Sequence, residues 1–432
     1  MKNDGGIQVA VIFGGFDVDF PRMVPVRQHF VADKIENVRE AVLKELTRDD
    51  IRSRFKEGQC IAVTVGSRGI ASIDVVVKTT VDFLKEIGTK PFIVPAMGSH
   101  GGASPEGQKK VLASYGITEE TMGAPIEADM EVVQLGTTKS GAPAYFSKVA
   151  YEADGIVVIN RVKNHTSFRG PVESGLTKMV VIGLGKHKGA TYVHYQGFDR
   201  FSQLIPEVGE VLLSKAKIAC GLALVENGYH ELMIVHAALP EQFIETDTRL
   251  LKVAYEAMPR ILFDEFEVLI VDEIGKDISG AGMDPNVTGR FSEPHMIALQ
   301  LKPRVQRIVV LDLTDESYGN AIGLGSADLT TTRVVAKIDR QATYANVITS
   351  TVLRGGAVPM YFDTDKESIA VALKTCKRVE PSEARVVRIK NTSDLDVIHV
   401  SETLLPKVKQ DPRFEIIGEP QPTAFTEEGR LI

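Results

Sequence analysis

Short apolar runs rich in β-branched residues alternate along this chain with longer stretches of mixed polarity. The clearest cycle begins near residue 59. Cys60-Ile61-Ala62-Val63-Thr64-Val65 is an apolar run that predicts a buried strand, Gly66-Ser67-Arg68-Gly69 breaks it, and residues 74–87 read as an amphipathic helix. Pro91-Phe92-Ile93-Val94-Pro95 opens the next unit. There Ser104 is placed to cap a helix, with Pro105 at its first position and Glu106 in its first turn, where the helix dipole favours an acidic group. A further buried strand, Gly155-Ile156-Val157-Val158-Ile159-Asn160, runs straight into a polar loop. After a helical stretch at 247–258, Glu267-Val268-Leu269-Ile270-Val271 starts a fresh strand near Phe263, followed by a strand at 305–311 and a helix at about 336–350. A tail rich in Pro and Glu begins near Asp411.

Strands alternating with helices predict an α/β fold with mostly parallel sheets, whose ligands gather at the carboxyl ends of strands. At 432 residues the chain exceeds what one hydrophobic core sustains, so two α/β domains are expected, 1–260 and 261–432, with the tail returning towards the first. The active site is expected in the cleft between them. With 44% hydrophobic and 25% charged residues the composition is that of an ordinary globular protein, and no apolar run is long enough to span a bilayer. The first residues lack the pattern of a signal peptide, which makes the cytoplasm the expected compartment. A net charge of −7 without a basic stripe points away from nucleic acid and membrane partners and towards small molecules. Cys60, Cys220 and Cys376 are too few and too scattered for a disulfide framework or a Cys-rich metal motif.

Candidate chemistry clusters on loops at or beyond strand ends. His100 stands in Gly98-Ser99-His100-Gly101-Gly102, where it is the only sizeable functional group, as a ligand contact or a turn histidine. His165 follows Arg161, Lys163 and Asn164 in a loop that is either functional or simply solvated. Lys178 precedes Met179-Val180-Val181-Ile182, an apolar run that would make a pocket-facing amine more nucleophilic. His194 lies between Tyr192 and Tyr195, as a ligand or a packed histidine. Ser67, Arg68 and Gly69 could hold an anion, or form an ordinary strand-to-helix turn. Gly183-Leu184-Gly185-Lys186-His187-Lys188-Gly189 suggests a phosphate cradle but lacks the spacing of a known one. In the second half, the glycine-rich loop 275–290 carries Lys276 and Arg290 and is expected to close over a substrate.

Taken in order, His100, His165, Lys178 and His194 resemble the nickel-dependent lactate racemase family, over roughly residues 60–200. The resemblance implies a racemase or epimerase of a 2-hydroxy acid that uses a nickel-pincer nucleotide. It implies that Lys178 holds the cofactor covalently, that His194 completes the nickel coordination, and that His100 and His165 are the acid and base. Ser67, Arg68 and Gly69 then contact the cofactor. Arg68, Lys276 and Arg290 are the candidates for the substrate carboxylate. In that scheme one histidine takes the hydroxyl proton while hydride leaves Cα, and return to the other face inverts the centre. Val65 stands where the family has an acidic residue, and His165 and Lys178 are 178 − 165 = 13 positions apart, longer than in lactate racemases proper, which marks a divergent branch. Two other readings stay open: a divalent-metal hydrolase or lyase ligated by His100, His165 and His194, with Asp199 or Glu173 as the carboxylate, and a nucleotide-derivative carrier without catalysis.

Overall fold

The computed structural model describes residues 15–67 and 69–432. The chain clusters into two compact units, Val31–Met258, and the residues up to Phe30 together with Pro259–Ile432.

Val31–Met258 is built on a five-stranded sheet in the order Lys90–Pro95, Cys60–Val65, Gly155–Arg161, Ile218–Glu226, Leu232–Ala238. The first four strands are parallel and the last is antiparallel. Both the strand Cys60–Val65 and its glycine break fall where the apolar pattern puts them. Helix Ile73–Glu86 returns the chain to start Lys90–Pro95, with Ile73, Val76, Val77, Thr80, Val81 and Leu84 buried along one stripe. That spacing of three and four residues turns one helix face onto the sheet, where Val77 and Leu84 join Val63, Ile93, Val157 and Leu222 in a single core. The predicted cap is present: Ser104 accepts the Gly107 N–H at 3.1 Å at the start of helix Pro105–Ala113.

Strand order fixes where chemistry can occur. The connection from Cys60–Val65 runs to one side and the next parallel strand, Gly155–Arg161, lies on the other, so the chain switches direction at their carboxyl ends. Such a switch point leaves a crevice in open α/β sheets. Three neighbouring strands end there in loops that carry Ser67, His100 and His165.

The other unit holds an eight-stranded mixed sheet in the order Met360–Phe362, Leu329–Thr331, Arg304–Val310, Glu265–Val271, Val386–Ile389, Val397–Ser401, Met23–Gln28, Phe414–Ile416. Its first five strands are parallel, and each of the remaining three pairs antiparallel with the strand before it. The Pro- and Glu-rich tail supplies the edge strand Phe414–Ile416, which pairs with Met23–Gln28. The single helix expected at 336–350 is two, Thr332–Lys337 and Arg340–Ser350. Asp339 causes the break by capping the second, accepting the Ala342 N–H at 2.9 Å. No helix among the described residues is long and apolar enough to cross a membrane.

Candidate functional site

His165, Lys178 and His194 come together around one aromatic cluster. The His165 ring lies 4.5 Å from Phe168 and 5.7 Å from Phe198, and the His194 ring lies 5.7 Å from Phe198 and 5.3 Å from Phe201. Lys178 places Nζ over the Phe168 ring at 5.4 Å and donates to the Glu173 carbonyl at 3.2 Å. Lys178 ends the short helix Leu176–Lys178, and the next five residues, Met179–Gly183, form a π-helical turn. Such turns widen a helix locally and occur often at functional sites. Helix Lys186–Tyr195 then carries His194.

The two histidines differ in tautomer, and backbone groups set the difference. His194 Nδ1 is 2.6 Å from the Ala190 carbonyl, which can only accept, so Nδ1 carries the proton and Nε2 the lone pair. A histidine fixed this way is prepared to ligate through Nε2. His165 is the reverse: the Ser167 N–H donates to Nδ1 at 3.0 Å, so the neutral ring carries its proton on Nε2. Desolvation, followed by the positive charge of Lys178, holds the His165 pKa well below the ordinary histidine value. Burial lowers that of His194 as well, against the opposing Ala190 bond. Both rings are therefore neutral at pH 7.

A buried carboxylate anchors the His165 loop. Glu173 is 2% exposed and accepts the His165 N–H at 2.8 Å, the Gly170 N–H at 3.2 Å and the Tyr255 hydroxyl at 2.8 and 2.9 Å. Burial raises its pKa against those bonds. Asp247 does the same for the lysine: its two oxygens accept the Leu176 and Thr177 N–H groups at 2.9 and 2.8 Å, capping the turn that ends at Lys178. Gly175 has to be glycine here, because a Cβ would lie 2.1 Å from Asp247 Oδ1 and its φ is +103°. The pattern of apolar residues did not single out Asp247 or Tyr255. Their only trace in the sequence is a polar group within an otherwise amphipathic helix.

His100 forms a second group on the neighbouring strand ends. Its Nδ1 is hydrogen-bonded to the Ser67 hydroxyl, and Tyr115 donates to the Ser67 carbonyl at 2.8 Å. The buried Gln108 donates to the Gly98 carbonyl at 3.2 Å and the His100 carbonyl at 3.4 Å, holding the loop from beneath. His100 itself is exposed. Gly69 follows Ser67 in the same loop, and Arg68 lies outside the described residues.

Lys276 and Arg290 belong to the other unit. Lys276 donates to the Gly280 carbonyl at 2.7 Å and Asn346 Oδ1 at 3.2 Å, and Arg290 pairs with Asp328 at 3.1 Å and the Val305 carbonyl at 3.1 Å. Their loop is tied down along its length by Gly275 N–H to the Gly282 carbonyl, by Asp284 N–H to Thr392, and by Ser393 to the Ile278 carbonyl. A cavity of about 460 Å³ in that unit is lined mainly by apolar side chains, with Arg388, His399, Glu419, Gln421 and Thr423 at its polar positions, and includes none of the predicted site residues.

The three-histidine metal site is not assembled: among the described residues no three His, Cys, Asp or Glu side chains are grouped to hold an ion. Glu173 is engaged as above, and Asp199 is exposed. The phosphate-cradle reading of Gly183–Lys186 also fails, since Lys186 is fully buried and bonded to the Pro95 carbonyl.

No curated protein matches the chain in sequence. Among solved structures, the lactate racemase apoprotein from Thermoanaerobacterium thermosaccharolyticum aligns with a TM-score of 0.52 at 13% identity, covering 85% of this chain and 94% of that one. At that identity the likeness is one of fold. Residues 22–203 match the lactate racemase N-terminal domain, and this stretch contains every site residue gathered above except Asp247 and Tyr255. Residues 22–203 thus resemble the lactate racemase N-terminal domain, and the chain shares its fold with a solved lactate racemase.

Proposed function

We propose that the protein is a nickel-pincer nucleotide-dependent racemase or epimerase of a 2-hydroxy acid. The observation that carries the reading is the meeting of Lys178 and a His194 with its lone pair on Nε2, beside His165, within the matched domain. The donor chemistry fits the cofactor: a primary amine for the covalent link and one imidazole nitrogen for the metal, with no further protein ligand required. When bound, that group supplies the hydride acceptor.

The chain's own residues supply orientation and proton movement. His100, exposed and backed by the Ser67 hydroxyl, is suited to take the substrate hydroxyl proton. His165, neutral with Nε2–H, is suited to hold the substrate oxygen by a hydrogen bond. For His165 to exchange a proton with that oxygen in either direction, its Nδ1 has to leave the Ser167 amide and carry a proton of its own, so that the ring passes between imidazolium and the neutral form with its lone pair on Nε2. The aromatic rings Phe168, Phe198 and Phe201 exclude water from this side, which strengthens such bonds.

The test is made on protein purified from a host that produces the cofactor. Peptide mass spectrometry is expected to find a nucleotide adduct on Lys178 and metal analysis to find nickel. His194→Ala should lose the nickel, whereas His100→Ala and His165→Ala should keep it and lose about a hundredfold or more in turnover. With a 2-hydroxy acid in heavy water, the Cα hydrogen should be retained during inversion. An adduct with nickel but no turnover on any 2-hydroxy acid identifies a carrier instead. Equal metal loss in all three histidine variants restores the ligand-cluster reading.

A further inference from the structure

Lys186 is a buried amine to which the proposed chemistry gives no task. Its side chain has 0% exposure, and its backbone adopts φ +53°, a left-handed conformation that L-residues rarely take. It stands where the π-turn Met179–Gly183, just after Lys178, passes into the helix bearing His194. From that junction Nζ donates to the carbonyl of Pro95 at 2.8 Å. Pro95 ends the strand that leads into the His100 loop.

Two more contacts lie on the same seam. The Gly98 N–H donates to the Gly183 carbonyl at 3.2 Å. Gly183 is against Ala96 so closely that a Cβ would lie 2.6 Å from the Ala96 carbonyl oxygen. Residues 95–98 and 183–186 are thus fastened at three successive points, and Lys186 makes the only side-chain bond of the three. Burial lowers the Lys186 pKa to about 8 while Asp129 opposes that fall, and the amine remains largely an ammonium at neutral pH. A charge is costly to bury unless it is paired and hydrogen-bonded, and here the bond to the Pro95 carbonyl is the one that directs the ammonium. Without solvent exposure the amine has no route to act on a substrate itself.

We propose that Lys186 is a positioning residue that fastens the His100 loop to the segment joining Lys178 to His194, so that the acid–base group and the cofactor-holding groups keep one geometry. The fastening stands on the contacts above, and its catalytic consequence rests on the function proposed for those three residues.

Hydrogen exchange on the full-length protein without cofactor tests the fastening alone. Lys186→Met keeps the stem and removes the charge and the donors. Peptides covering residues 96–103 are expected to exchange about tenfold faster in this variant, with peptides from strand Arg304–Val310 unchanged. Because no cofactor is involved, this result is independent of whether the wild type proves to be a racemase. In cofactor-loaded protein, Lys186→Met should keep nickel and the Lys178 adduct and show kcat lowered on the order of a hundredfold with KM little changed. Should Lys186→Met fail to fold, Gly183→Ala parts the same seam through the Ala96 carbonyl and should give the same local rise in exchange. Unchanged exchange at 96–103 in the folded variant, or loss of nickel and adduct in parallel with turnover, overturns the proposal.

Discussion

Substituting Asp247 by Asn should change how the stability of this protein depends on pH. Asp247 is fully buried, and its two oxygens accept the Leu176 and Thr177 N–H groups. Burial raises its pKa from 3.8 to about 7, against the lowering effect of those bonds. A folded-state value above the unfolded one means that the folded protein binds the proton more readily between the two. The group's stabilising contribution is therefore full below pH 4 and is lost as pH rises through 7. Between pH 5 and 8.5 the loss amounts to about 3 kcal/mol. Asn carries no charge at any pH, so it escapes this loss. It has one acceptor rather than two, and leaving one buried N–H unpaired costs about 1–3 kcal/mol at every pH. The variant should accordingly be the less stable protein at pH 5 and should match or exceed the wild type at pH 8.5. Urea unfolding of both proteins followed by far-ultraviolet circular dichroism, at fixed ionic strength across this range, measures the difference. A constant gap from pH 5 to 8.5 refutes the argument, because it means that Asp247 does not hold a proton through this interval. Asp247→Ala removes both acceptors and should be destabilised at all pH values, by about 2–5 kcal/mol.

Three further outcomes are expected. Tyr255→Phe removes the hydroxyl that serves both Glu173 oxygens and should cost about 1.5–3 kcal/mol in urea unfolding at pH 7; a loss within error means that the other donors alone hold the carboxylate. Nitrogen-15 NMR of the His165 ring should show Nε2–H and no titration near the ordinary 6.5, and stability should fall as pH drops below 6.5, since only the unfolded chain then takes up the proton readily. A ring that titrates normally contradicts this assignment. Arg290→Ala should destabilise the protein by about 1–3 kcal/mol by leaving Asp328 short of its partner; an unchanged stability with a raised KM for a 2-hydroxy acid would instead make Arg290 a substrate contact.

What was legible in the sequence is what local chemistry determines. Cys60–Val65 has the bounds that its apolar run suggests, and Ser104 with Pro105 starts a helix because a hydroxyl and a fixed φ are what a helix N-terminus needs. His165, Lys178 and His194 were legible as an ordered set and come together. Strand Met23–Gln28 was not legible: it contains Pro25, and it is defined by antiparallel partners near residues 400 and 415 that have no local signature. The break at Asp339 was hidden because an aspartate inside a helical pattern looks the same whether it faces solvent or caps the next helix. Lys186 was misread for a related reason. Its glycine neighbours suggested a phosphate, whereas the absent side chain of Gly183 admits the Ala96 carbonyl, that of Gly185 admits the Val181 carbonyl, and the lysine bonds to Pro95.

Buried carboxylates give this site its stiffness, and they do so without touching the reacting groups directly. Glu173 accepts the backbone N–H of His165, while its own carbonyl accepts Lys178 Nζ, so one residue restrains both a candidate acid and the candidate cofactor amine. Asp247 restrains the same lysine from its N-terminal side. Each carboxyl has a raised pKa, so each is held at a cost in solvation that a purely structural role could have avoided with an apolar residue of similar volume. An apolar replacement would fill the space but could not accept two N–H groups in fixed directions. Directional bonds matter most where side chains must be held to within a few tenths of an ångström, which is what the proposed function would ask of the loops at the carboxyl ends of these three strands.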